Sequence, residues 1–147
     1  MPSWRSPGEL FARASELAPE FPKLKAPAQF CQGRALILEG KHSEAASALR
    51  EALRVDPDSA YAHNALGIAL LRLGRHREAI AKFQDAVVRA PRWAYPHHNL
   101  ALTYLEMRRL SEADRAYQSA RRAYWDETGR CHRSGCGQRL PCECPAA

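Results

Sequence analysis

The sequence predicts an all-α chain in which helical hairpins stack side by side, and three observations predict it. A 34-residue period runs through residues 26–127, small residues recur at fixed places within each period, and glycine and proline fall where helices should end. Ala26, Ala60 and Ala94 open the three copies. Gly33, Gly67 and Ala101 then form one column, and Gly40, Gly74 and Arg108 another. Glu44, Glu78 and Glu112 align, as do Ala45, Ala79 and Ala113, and then Ala52, Ala86 and Ala120. Pro57 and Pro91 align with Trp125 in the third copy.

Each element can be justified in chain order. Within residues 1–25, Ser6 suits a helix cap, Pro7 the first helical position, and Glu9 completes a capping box. Leu10, Ala14 and Leu17 share a face, and Pro19 and Pro22 should end the element. These residues echo Ala45, Leu49, Ala52 and Pro57, so the segment reads either as the second helix of a decayed repeat or as an unrelated packing helix. Three full copies follow, at 26–59, 60–93 and 94–127. In the second copy, Ala62, Leu66, Ala69, Leu70 and Leu73 have helical spacing over residues 60–73. Gly74 breaks that helix, since glycine tolerates positive φ. A second helix over 77–89 carries Ala79, Ile80, Phe83, Ala86 and Val87 on one face, and Pro91 cannot continue it.

The small columns have a physical reason. A mid-helix glycine costs about 1 kcal/mol relative to alanine, so Gly33 and Gly67, with Ala101, mark close helix–helix approach. Ala45, Ala79 and Ala113 are the expected opposing contacts. Ala52, Ala86 and Ala120 should pack successive hairpins together.

With these columns in hand, the chain resembles the tetratricopeptide-repeat family over about two thirds of its length. The second copy carries the resemblance best, with Leu66, Gly67, Ala79, Phe83, Ala86 and Pro91. The first copy offers Gly33, Ala45, Ala52 and Pro57, the third Leu100, Tyr104, Ala113 and Ala120. The family's tryptophan position instead holds Gln29, His63 and His97, expected to act as half-buried spacers. The resemblance implies a right-handed superhelical solenoid of three full repeats plus an N-terminal helix. It also implies a concave groove lined by the first helix of each hairpin.

Carried onto this chain, the groove positions give Phe30 and Arg34 in the first copy, alongside Pro27, Ile37 and Leu38. The second copy gives Tyr61, Asn64, Ile68 and Arg72. The third gives Tyr95, His98, Asn99 and Leu102. Tyr61 and Tyr95 stack in successive hairpins, and aromatics and arginine are the usual interface anchors. Asn64 can serve a peptide backbone through its amide. The family subtype that clamps a C-terminal carboxylate is not implied: its positions hold Phe30, Arg34, Ala65, Tyr95 and Asn99, none of them matching. The implied function is a non-catalytic scaffold for a peptide or protein partner. Two alternatives stand beside it: a targeting appendage or fragment of a larger enzyme, and a small zinc-binding module.

Composition sets further bounds. The 147 residues are 46% hydrophobic and 26% charged, ordinary for a globular domain. No run approaches the ~20 apolar residues of a membrane span, and no secretory signal opens the chain, so a cytoplasmic location is the default. The net charge of +6 is dispersed, without the dense basic block that nucleic acid would require. His42, His76 and Leu110 share a column, which reads as helix packing. His76 and Glu78, two apart, do not share a helix face as a metal or acid–base pair would. No nucleophile–base pattern or glycine-rich phosphate loop points to an enzyme, and no cofactor is expected.

Residues 128–147 form a cysteine-rich tail. Cys131, Cys136, Cys142 and Cys144 read as an unstructured reactive segment, a zinc site or disulfides, although no C-x2-C knuckle is present. The third copy lacks an obvious polar capping helix. Its apolar surface is therefore expected to be covered by Tyr124 and Trp125 folding back, by a partner or a second copy of the chain, or by further repeats.

Overall fold

A computed structural model describes residues 22–123, which form six helices: α1 (Pro22–Leu38), α2 (His42–Val55), α3 (Ala60–Arg72), α4 (His76–Arg89), α5 (Ala94–Glu106) and α6 (Leu110–Ala123). Among the described residues there is no strand. The helices pair as α1 with α2, α3 with α4, and α5 with α6, and successive hairpins stack through α2 on α3 and α4 on α5. The first helices also touch one another, α1 with α3 and α3 with α5. The chain is an all-α repeat solenoid. The expected helix within residues 1–21, Tyr124, Trp125 and the four tail cysteines lie outside the described residues.

The two kinds of turn follow from local chemistry. Within hairpins, Gly40 and Gly74 adopt φ of 80° and 75°. Gly74 N–H donates to Leu71 O, and Arg75 N–H reaches back to Leu70 O, both at 2.9 Å. This is the Schellman closure, and it satisfies carbonyls the helix end would otherwise leave orphaned. The third hairpin closes the same way, with Arg109 N–H on Tyr104 O at 2.8 Å, but its left-handed residue is Arg108, at φ 59°. Arg75 then pairs with Glu78, Nε to Oε1 at 2.6 Å, and Arg109 pairs likewise with Glu112. The recurring glutamate thus holds an arginine at the entry of α4 and α6 and sits where the helix dipole favours negative charge.

The core is the seam between paired helices. Ala45, Leu49, Ala69, Ala79, Phe83 and Ala86 have no exposed surface. The glycines are needed, although not for the expected reason. A Cβ on Gly67 would lie 2.5 Å from Phe83 Cε1, and one on Gly33 would lie 2.5 Å from Leu49 Cγ. What approaches each glycine is therefore the bulky residue one helical turn beyond Ala45 or Ala79, laid flat across the backbone. Ala45 and Ala79 are themselves fully buried.

Two further expectations need correction. Helix α1 starts at Pro22, before the repeat boundary at residue 26, and runs on through Pro27. Proline is tolerated there because Pro22 opens the helix, where its missing N–H would be unpaired in any case, and Pro27 removes one early backbone bond. The His42, His76 and Leu110 column is not a uniform packing position. His42 and His76 are half-buried, with His76 Nδ1 3.5 Å from Glu106 Oε2, whereas Leu110 is 67% exposed. Among the described residues, no later hairpin stands against Leu110.

Candidate functional site

The first helices of the three hairpins bring their outward faces into one groove of about 530 Å³. Phe30, Arg34, Ile37 and Leu38 enter it from α1. Tyr61, Asn64, Ala65 and Ile68 enter from α3, and Trp93 and Tyr95 from the start of α5. A smaller depression of about 170 Å³ adjoins it, shares Phe30 and Tyr61, and takes in Pro27. Eight of the thirteen sequence-predicted groove residues, Phe30, Arg34, Ile37, Leu38, Tyr61, Asn64, Ile68 and Tyr95, therefore meet in one place, with Pro27 in the adjoining depression. The other four, Arg72, His98, Asn99 and Leu102, do not line this depression. Leu102 is 42% exposed, on the next turn of α5.

Trp93 is the residue the sequence reading missed. Its ring lies 4.6 Å from that of Tyr61 and 6.2 Å from that of Tyr95, tilted by 54° and 53°. The two tyrosines are thus bridged by an indole and do not form a simple pair. The signal was present in the repeat itself. Trp93 occupies the column of Ser59, which caps α3 by accepting a hydrogen bond from Ala62 N–H at 3.3 Å. Trp93 stands at the N-cap of α5 and makes no side-chain cap bond. Serine at an N-cap contributes about 1 kcal/mol. A tryptophan there forgoes that stabilisation and places a large aromatic at the mouth of the groove.

The polar groups are few and oriented. Asn99 Nδ2 donates to Asn64 Oδ1 at 2.9 Å, linking α5 to α3, and Thr103 Oγ1–H donates to Asn99 O at 2.7 Å. With its oxygen engaged, Asn64 has its Nδ2 to offer to the groove. The Arg34 guanidinium sits 5.8 Å from the centre of the Phe30 ring, in cation–π range.

Away from the groove, two histidines hold the turns between hairpins. His63 Nε2–H donates to Pro57 O at 2.9 Å, and His97 repeats this with Pro91 O at 3.0 Å. Both therefore replace the family tryptophan with a hydrogen-bonded clasp six residues long. His63 is buried, deeper than the half-buried spacer expected, whereas His97 is half-buried. Burial, the largest influence, pushes the His63 pKa below its ordinary 6.5. The nearby Arg89 and Lys82 act in the same sense, opposed by the Pro57 carbonyl and by Asp85, whose Oδ2 is 3.7 Å from Nδ1. Among the described residues, no group of three or more His, Cys, Asp or Glu could hold a metal ion, and no helix is long and apolar enough to cross a membrane.

Known proteins place this architecture. Residues 32–92 match the family profile described as tetratricopeptide repeat. No curated protein sequence matches the chain. Among solved structures, a crystal structure of MamA is similar with a TM-score of 0.65 at 21% identity, over 79% of this chain and 73% of that one. The Sgt2 TPR domain from Aspergillus fumigatus is similar with a TM-score of 0.65 at 21% identity, over 67% of this chain and 66% of that one. The second TPR of Spaghetti (RPAP3), solved with the HSP90 peptide SRMEEVD, gives 0.65 at 15% identity over 76% and 98%. The chain spans less than two thirds of two further MamA structures, 64% and 63% of their lengths. At 15–27% identity these likenesses are ones of fold. Residues 32–92 carry the tetratricopeptide-repeat signature, and the six-helix array of paired helices around them has the fold of tetratricopeptide-repeat proteins.

Proposed function

We propose that this chain is a non-catalytic interaction scaffold that takes a peptide or protein segment in the groove formed by α1, α3 and α5. The observation that carries this reading is Trp93: an aromatic replaces a helix cap where it meets Tyr61 and Tyr95 at a largely apolar groove. Aromatic anchors of this kind carry most of the energy in peptide and protein interfaces. Fold relatives support the general class, since the RPAP3 repeat domain is solved with a bound peptide. The acidic C-terminal tail of that peptide is not the expected ligand here, because the resemblance places none of the carboxylate-clamp residues on this chain.

The test is affinity capture followed by mass spectrometry, comparing the full chain with Trp93→Ser. That variant restores the residue type found at Ser59 and should keep the fold. A partner held by the parent and lost at least tenfold by Trp93→Ser, with unchanged far-UV circular dichroism, is the expected outcome. Equal capture by both would move the binding surface elsewhere.

A further inference from the structure

We infer that the groove selects an extended acidic segment, one that seats a bulky apolar or aromatic side chain against Trp93 and presents a side-chain carboxylate to Arg34. This rests on the groove reading above and narrows it to a ligand chemistry.

Three observations carry the inference. First, the groove is asymmetric in charge. Among the described residues, Arg34 is the only charged residue that lines it, and no carboxylate does. Several cations elsewhere in the array are locally neutralised: Arg54 by Glu51 at 2.8 Å, Arg75 by Glu78 at 2.6 Å, and Lys82 by Asp85 at 3.0 Å. Arg34 makes no ion pair among the described residues, and its recorded contact is the Phe30 ring. A guanidinium laid over a ring keeps its N–H edge available for a carboxylate, the geometry that gives paired, charge-assisted hydrogen bonds. A basic segment would meet Arg34 with no countercharge at hand.

Second, the aromatic end is built for an anchor. Trp93 between Tyr61 and Tyr95 presents tilted rings, and a further apolar side chain can pack against them edge-to-face or offset. Third, the Asn64–Asn99 bond engages the Asn64 oxygen, which leaves Nδ2 as the free donor of this groove-lining residue. A donor suits a backbone carbonyl, and an extended segment leaves its carbonyls free to accept. A volume of about 530 Å³ falls within the ~300–1,000 Å³ of sites that enclose small ligands, which fits a short linear segment. A lone arginine answers one side-chain carboxylate, whereas a C-terminal clamp gathers several donors.

The experiment pans a random dodecapeptide phage library on the full-length protein, with counter-panning on Trp93→Ser, and reads out the enriched sequences. Enrichment of clones with an aromatic or large aliphatic residue at fixed spacing from Asp or Glu is expected. Synthetic peptides from those clones should lose about tenfold in affinity for Arg34→Glu, the loss of one charge-assisted contact. Arg34→Lys, which keeps the charge without the planar fork, should recover part of it. Because Arg34 is exposed, both variants should fold as the parent does, checked by circular dichroism. Clones that need Trp93 but carry no acid, or carry Lys or Arg instead, overturn the acidic assignment and leave the groove reading standing. If no clone distinguishes the parent from Trp93→Ser, the groove reading falls and this inference with it.

Discussion

The second and third repeats are written in the same 34-residue phrase, yet they bury their seams differently. In the second, Phe83 has no exposed surface and lies across the bare backbone of Gly67. In the third, Ala101 takes the glycine column and Tyr117 takes the place of Phe83, where it is 54% exposed. Ala101 carries a methyl group at the position where Gly67 leaves its backbone bare for the Phe83 ring. The turns differ in the same direction. Gly74 takes its left-handed φ at no steric cost, while Arg108 adopts φ 59° with a side chain attached. The comparison teaches that the small residues are not interchangeable: glycine admits a bulky side chain onto the backbone, whereas alanine leaves that side chain at the surface. The first repeat uses the same solution as the second, with Leu49 fully buried over Gly33.

Four changes would break or sharpen this contrast. The largest effect should come from truncating the sealed ring. Phe83→Ala is expected to destabilise by about 3–5 kcal/mol, as for other buried aromatics. Tyr117→Ala should cost a small fraction of that, and equal losses in urea melts would mean that the two seams are alike. Next comes Gly67→Ala. It gains about 1 kcal/mol of helix propensity but places a methyl 2.5 Å from the Phe83 ring, an overpacking cost of about 1–3 kcal/mol. A net loss is expected, and a stabilised variant would show that the ring can move aside freely.

The third change titrates the clasp. Because burial lowers the folded-state pKa of His63 below 6.5, the unfolded chain binds the proton more readily. Stability from this residue is therefore present above pH 6.5 and is lost as pH falls from there through the lowered value. The urea midpoint of the parent should drop across that window more steeply than that of His63→Gln. Parallel curves would assign the pH dependence to other groups. The smallest effect should be Arg108→Gly, which relieves the left-handed strain but enlarges the unfolded ensemble, for a net gain of about 0.5–1 kcal/mol. A drop in melting temperature would instead show that the Arg108 side chain is held by contacts worth more than its strain.

Much of the architecture was legible in the residues, because hairpin formation is local. Helical spacing, the glycines at the turns and the prolines beyond the second helices act within about ten residues, so the period alone exposes them. The site was legible only in part. Positions one turn apart on α1 and α3, such as Phe30, Arg34, Tyr61 and Asn64, were placed by counting. Trp93 lies in a turn, where helical counting offers no direction, and its role depends on two rings from different hairpins. The glycine contact was assigned to Ala79 instead of Phe83 because sequence spacing shows which residues share a face, whereas the reach of a side chain across the seam depends on how the helices cross.

By itself the sequence determined that this chain is a stack of α-hairpins, where each turn falls and which faces turn inward. Periodicity, turn propensity and helix-breaking residues act through the neighbouring chain. Only the tertiary structure decided that Phe83 lies on Gly67, that Asn99 bonds Asn64 across repeats, and that Trp93 joins Tyr61 and Tyr95 in the groove that Arg34 also lines. Those contacts link residues on different helices, and their existence depends on the angle and separation at which the helices pack, quantities that no local rule of the chain specifies.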